Sequence, residues 1–171
     1  MARKLLPVAV HSSQSISRMC FICGEENSAG LHSHFFNLED GRVACLFTAR
    51  DEHQGYPGRM HGGVISAVLD ELIGRILQIT DPTAFAVTID LSLKFRKPVP
   101  LGEEVKAVAW ATNETARVFE GKGEIHLADG TVAVEASAKY LKMDVQAIAP
   151  GGLPGTDWYD DKRPVPASLL L

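Results

Sequence analysis

The sequence predicts an α+β domain in which one antiparallel β-sheet wraps around a single long central helix. Three observations carry that prediction. Residues 60–79 are apolar on nearly every helical face, the pattern changes to two-residue alternation directly afterwards, and strand-like segments separated by turn signals fill most of the remaining chain. With 171 residues, 46% of them hydrophobic, the chain falls in the size range of one domain and can bury a sizeable core.

The elements follow in order. Segments 31–37 and 42–49 are short strand candidates around the turn-like Glu39-Asp40-Gly41, which predicts a hairpin. In 60–79, Val64, Ile65, Ala67, Val68, Leu69, Leu72, Ile73, Ile76, Leu77 and Ile79 predict a helix buried on most sides. Asp81-Pro82 ends it, because proline disfavours helical geometry in the residue before it. Next, Phe85, Val87, Ile89, Leu91, Leu93 and Phe95 alternate with Thr88, Asp90, Ser92 and Lys94, the clearest strand in the chain. Strands are also expected at 104–112, 117–128 and 131–143, the last two joined by Asp129-Gly130 as a two-residue hairpin turn. Such a meander must cover its apolar face, and the central helix is the large apolar object available within the chain. Residues 1–19 lack clear periodicity and 144–171 are rich in proline and glycine, so both are expected as arms outside a domain at 20–143.

Charge and composition narrow the function classes. Seventeen basic and 21 acidic side chains are mixed along the chain, without the basic stripe that neutralises nucleic-acid phosphates. Asp70, Glu71 and Arg75 interrupt the longest apolar stretch, which argues against a membrane span, and the N-terminal segment does not read as a signal peptide. Three cysteines, Cys20, Cys23 and Cys45, cannot form an even disulfide framework and suit a reducing compartment, so a cytoplasmic protein is expected.

The most informative segment is Gln54-Gly55-Tyr56-Pro57-Gly58-Arg59-Met60-His61-Gly62-Gly63, leading into Val64-Ile65-Ser66-Ala67-Val68-Leu69-Asp70-Glu71. A His-Gly-Gly opening of a buried helix, with an acidic residue two turns later, resembles the hotdog acyl-CoA thioesterases of the PaaI-like, phenylacetate-pathway type. The resemblance extends through Ala86-Val87-Thr88-Ile89-Asp90-Leu91 and the later strands, over residues 20–143. It implies a hotdog fold, a homodimer as minimum unit with a tetramer as the next assembly, and an acyl-CoA substrate that brings coenzyme A with it, with no further cofactor.

The chemistry asks for these residue types. Gly62 and Gly63 at a helix start admit close approach of a substrate, and their N–H groups sit at the positive end of the helix dipole, where they can hold a thioester carbonyl oxygen. The same glycines would equally serve close helix–sheet packing. No Ser-His-Asp order or Gly-x-Ser-x-Gly elbow is visible, which leaves a carboxylate as nucleophile or base. The resemblance assigns that role to Asp70 rather than Glu71, and an orienting hydroxyl to Thr88. Where many relatives carry an asparagine upstream of the triplet, this chain has Gln54 or Gly55, and Gln54 is the candidate. His61 can act as a general base or cap the helix, and the resemblance favours the cap. The family places part of its coenzyme site at the long strand, which implies Asp90, Phe95, Arg96 and Lys97; the two basic residues also fit an ordinary solvated strand end.

Cys20-x-x-Cys23 followed by His32-x-His34 offers four zinc-ligand types. The spacing of the second pair is short for a zinc site, so a packed thiol knuckle without metal is expected. Two other functions compete with hydrolysis. A hydratase or dehydratase would pair a histidine with a carboxylate, and His61 with Asp70 does not fit helical spacing within one chain. A non-catalytic acyl-CoA sensor would need loss of the carboxylate or a DNA-binding module. One geometric expectation remains: Asp70 lies ~12 Å along the axis from Gly62, too far for one thioester to touch both, so a second copy of the helix must complete the site.

Overall fold

Glycines at two positions of one strand let the central helix lie directly on the sheet. A Cβ at Gly121 would stand 2.6 Å from Ile73 Cγ2, and one at Gly123 would stand 3.2 Å from Leu69 Cδ2. The computed structural model that shows this packing describes residues 4–171. Its elements are β1 (Pro7–Ser13), β2 (Ile16–Ser17), β3 (His34–Leu38), β4 (Val43–Thr48), α1 (Gly62–Gly74), β5 (Phe85–Phe95), β6 (Glu104–Glu114), β7 (Val118–His126), β8 (Val132–Met143), α2 (Val145–Ile148), β9 (Trp158–Tyr159) and β10 (Ser168–Leu170). Eight strands form one sheet in the order β10-β1-β3-β4-β6-β7-β8-β5, and β2 pairs with β9 separately. Every strand pair is antiparallel.

The inner face of the sheet and α1 build the main core, with Phe35, Val68, Leu69, Leu72, Ile73, Phe119 and Ile125 among its buried members. A smaller apolar cluster of Phe36, Leu38, Ala44, Val108 and Leu169 forms separately. The sheet wrapped around one main helix is the arrangement expected from the sequence.

Four details differ from expectation. The α-helix stops at Gly74, and Arg75–Ile79 continue as 3-10 turns. Glycine is a weak helix former, and the Tyr140 ring occupies the space against which a Cβ at position 74 would press, at 3.2 Å. The β5 alternation breaks at a bulge: Thr88 pairs with Tyr140 and Asp90 with Lys139, leaving Ile89 as the extra residue, 55% exposed. Ala86 packs on the core before the bulge, and Leu91 and Leu93 do so after it. Phe85, Val87 and Ile89 therefore do not share a face with Leu91 and Leu93, and Thr88 turns towards the helix.

The β7–β8 turn is longer than the two residues expected. Gly130 N donates to Leu127 O at 2.9 Å, and Leu127 N to Thr131 O at 2.9 Å, closing a three-residue loop with Gly130 at φ 79°. Finally, the described parts of the two expected arms, residues 4–19 and 144–171, do not lie outside the regular structure, and residues 1–3 lie outside the described residues. β1 joins the main sheet between β3 and β10, and β2 and β9 pair with each other. Sheet pairing satisfies the backbone groups of these segments, whose sequences show little apolar alternation. Among the described residues no helix is long and apolar enough to cross a membrane.

Candidate active site

The N-terminus of α1 is built by the loop before it. His61 has extended geometry (φ −67°, ψ 136°) and its Nδ1 accepts the Gly63 amide at 2.9 Å, capping the helix. In the neutral ring the proton therefore sits on Nε2. This corrects the expectation that both glycine amides are free: Gly63 is occupied, whereas the Gly62 amide has no hydrogen-bond partner among the described residues. Phe95 lies beside it, with ring carbons 3.7 Å from the position a Gly62 Cβ would take. The expected coenzyme-site residue Phe95, 54% exposed, and the glycine turn thus share one surface.

Gln54 serves the loop itself. Its Oε1 accepts the Gly58 amide at 2.9 Å, and the Gly55 amide donates to Arg59 O at 2.9 Å. That acceptor is thus engaged inside the turn that precedes α1.

Two turns along α1, Asp70 meets two strands. Thr88 Oγ1 donates to Asp70 Oδ1 at 2.7 Å, an orientation made possible by the β5 bulge. Tyr140, opposite Thr88 in the ladder, places its hydroxyl 2.6 Å from the Asp70 carbonyl oxygen and 3.3 Å from Oδ1. Burial, followed by the neighbouring carboxylate, pushes the Tyr140 hydroxyl above its ordinary pKa, so it stays a neutral donor. Asp70 Oδ2 takes no hydrogen bond among the described residues. The result is a carboxylate fixed on one oxygen with the other free to act on a substrate or a water.

Sequence reasoning did not name Tyr140. A signal was available: in β8 the residues Ala136, Ala138 and Tyr140 are buried while Ser137 and Lys139 are exposed, so the phenol is the one polar group on an apolar face.

Glu71, the alternative carboxylate, is engaged elsewhere. Its Oε1 accepts Arg75 Nη2 at 2.7 Å and Nε at 3.0 Å, and Cys20 Sγ donates to its Oε2 at 3.0 Å.

Beyond β5, Arg96 pairs with Glu135 at 2.8 Å, and Lys97 lines a cavity of about 420 Å³ with Arg59, Pro98, Pro100 and Leu127. Asp90 is exposed, facing Lys139 in register, on the side opposite Leu91. Alternation after the bulge separates it from the inward surface that carries Phe95.

The four zinc-ligand types do not converge. His32 Nε2 lies 2.8 Å from Asn27 O and His34 Nε2 lies 3.0 Å from the Asp161 carboxylate, whereas Cys20 and Cys23 cluster with Glu71.

A sheet curled around one central helix, with a glycine turn at the helix start and a hydroxyl-anchored carboxylate two turns later, defines the class as a hotdog-fold protein. Residues 57–141 match the model of the thioesterase superfamily, and the chain belongs to that superfamily. It is similar to acyl-coenzyme A thioesterase THEM4 of Rattus norvegicus, 28% identical over 126 residues that cover 70% of this chain and 51% of that protein. The chain thus spans about half the length of such relatives. A thioesterase superfamily protein of known crystal structure superposes with a TM-score of 0.66 at 28% identity, covering 74% of this chain and 61% of its own. The PaaI protein of E. coli, from the phenylacetic acid degradation operon, gives a TM-score of 0.60 at 16% identity, covering 69% of this chain and 86% of its own.

Proposed function

We propose that this chain hydrolyses an acyl-coenzyme A thioester to a free acid and coenzyme A. The observation that carries the reading is Asp70, held through one oxygen by Thr88 at 2.7 Å while its other oxygen is unengaged. The similarity to THEM4, an acyl-coenzyme A thioesterase, supports the same substrate class.

In this reading the Gly62 amide donates to the thioester carbonyl oxygen, and charge developing there is stabilised by the helix N-terminus. Asp70 attacks the carbonyl carbon or takes a proton from the attacking water. His61 positions Gly62 by capping the helix. Thr88 orients Asp70, and Tyr140 fixes both the helix backbone and the carboxylate. Phe95 borders the acyl-thioester path. Lys97 meets coenzyme phosphate at the strand end, while Arg96, paired with Glu135, frames it. Coenzyme A arrives with the substrate and no other cofactor takes part.

Because Gly62 and Asp70 are ~12 Å apart along α1, the working unit is a homodimer in which one chain supplies Gly62 and its partner supplies Asp70. The edge position of β5, with exposed Ile89 and Phe95, supports a second copy packing at this side, and pairs of dimers would give a tetramer. The three cysteines are all free thiols, which supports a cytoplasmic location.

The test is release of free thiol from aryl-, short- and long-chain acyl-CoA esters by the wild-type chain and by Asp70→Asn. Turnover of at least one ester, lost in the variant, supports the reading; failure on the whole panel by a folded oligomer contradicts it.

A further inference from the structure

The cysteine pair forms a built site that hydrolysis does not use. Cys20 and Cys23 lie in a tight turn closed by the Gly24 amide donating to Cys20 O at 2.9 Å. Their sulfurs and a Glu71 carboxylate oxygen all lie within 4.8 Å of one another. Cys20 Sγ accepts the backbone amides of Ile22 at 3.2 Å and Cys23 at 3.4 Å, donors that favour negative charge on that sulfur. Cys23 Sγ accepts the Ser17 amide at 3.4 Å and Arg75 Nη2 at 3.1 Å. The guanidinium is buried, lies 4.1 Å from the centroid of the Phe35 ring, and donates to Ser15 O at 2.8 Å.

The two thiols are not equivalent. Cys20 is partly exposed and Cys23 fully buried. Proximity of the two sulfurs pushes the Cys23 thiol up and holds Cys20 down, an effect that outweighs burial and the Glu71 carboxylate, which both act to raise Cys20. A cation between them is disfavoured, because the Arg75 charge already sits against both Cys23 and Glu71. The third cysteine is a built-in contrast: Cys45 is wholly buried, and desolvation pushes its thiol up to about 12.

We infer that Cys20 and Cys23 are a redox-active dithiol that a hydroperoxide oxidises to an intramolecular disulfide. The Cys20 sulfur attacks the peroxide oxygen and the O–O bond breaks. The leaving oxygen takes a proton and departs as water or an alcohol, leaving Cys20 as a sulfenic acid. The Cys23 sulfur then attacks the Cys20 sulfur, the S–S bond forms, and hydroxide leaves with the Cys23 proton as water. Two thiols thus supply the two electrons that reduce one peroxide. The proton taken by the leaving oxygen is the one the Cys20 thiol gives up. An external dithiol reverses the reaction by thiol–disulfide exchange.

The experiment treats the full chain with hydrogen peroxide, alkylates the remaining thiols at intervals and maps the products by mass spectrometry. The expected result is that one of the three thiols, Cys45, remains while a peptide loses two hydrogens across Cys20 and Cys23, and dithiothreitol restores both. Cys20 should react at least about tenfold faster than Cys45. Cys23→Ser should stop at a Cys20 sulfenic acid that dimedone traps. Should that variant fail to fold, the wild-type map alone decides. Cys20 and Cys23 remaining as slow as Cys45, disulfides forming between chains instead, or one equivalent of zinc protecting both thiols until a chelator removes it would each overturn the assignment.

Discussion

Asp70 and Glu71 are neighbours on one helix, yet α1 presents them to opposite kinds of surroundings. Towards β5 and β8, Asp70 meets two neutral hydroxyl groups and keeps one oxygen free. Towards the N-terminal turn, Glu71 is locked by the Arg75 guanidinium, itself only 4% exposed, and by Cys20. The difference teaches which carboxylate can do chemistry. A group already neutralised by a buried cation is part of the architecture, and one merely oriented by hydroxyls remains available.

The largest expected effect breaks this contrast directly. Asp70→Asn should lower turnover by more than about a hundredfold while leaving the thermal midpoint near wild type. Glu71→Gln should do the reverse, costing about 3 kcal/mol of stability by leaving Arg75 without its partner charge, with turnover falling far less. Denaturant titration and steady-state kinetics on both variants decide it; loss of turnover in Glu71→Gln with Asp70→Asn active would exchange the two roles.

Next come the groups that hold Asp70. Thr88→Ala and Tyr140→Phe should each lower kcat by roughly tenfold, because an orienting hydroxyl supplies part of the transition-state stabilisation. Tyr140→Phe should also cost about 1 kcal/mol of stability, since its hydroxyl bonds the helix backbone at 2.6 Å. An unchanged kcat in both would remove the hydroxyl pair from the site. Lys97→Ala should raise KM for acyl-CoA several-fold with kcat nearly constant, the signature of uniform binding. Equal changes with a thioester lacking the nucleotide would detach Lys97 from coenzyme recognition.

The smallest effect concerns a region remote from this helix. Burial holds the His34 imidazole below its ordinary value of 6.5 despite the nearby Asp161. The unfolded chain therefore binds more protons below that value, so stability is full above it and falls as pH drops through the folded pKa. Asp161 acts with the same sign at lower pH: burial acts to raise its carboxyl, but the bonds and charge of Arg163 outweigh it and hold the group below 3.8, and its contribution is lost on further acidification. Denaturation midpoints should decline as pH falls below 6.5, and His34→Gln should flatten that slope. A slope unchanged in the variant would assign the effect elsewhere.

The sequence made the fold legible wherever a long periodic segment had one dominant partner. β5 runs from Phe85 to Phe95 as the alternation predicted, and α1 opens at the glycine pair. The bulge at Ile89 was not legible, because uninterrupted alternation in the sequence carries no mark of an inserted residue. That one residue decides whether Thr88 faces the helix. The alternation of β8 marked Tyr140 as a phenol on an apolar face, but its contact with Asp70 depends on pairing across two strands and was not legible. The commitment of the Gly63 amide to His61 depends on a rotamer that composition does not specify. β9 and β10 have too few residues for periodicity, and β1 carries only Val8 and Val10 as large alternating apolar residues before the polar His11-Ser12-Ser13; long-range pairing overrides the local impression of loose ends.

The central claim is that one chain's Gly62 works with its partner's Asp70, and subunit complementation tests it most directly. Gly62→Pro deletes the amide donor at the first helical position, where proline is well tolerated, and His61 already has the extended geometry that precedes proline. Asp70→Asn and Gly62→Pro chains, each inactive alone, are mixed and allowed to exchange subunits. Mixed dimers carry one intact site, so activity should rise towards about a quarter of wild type under random pairing. No recovery, with exchange verified by mass, would contradict the shared site.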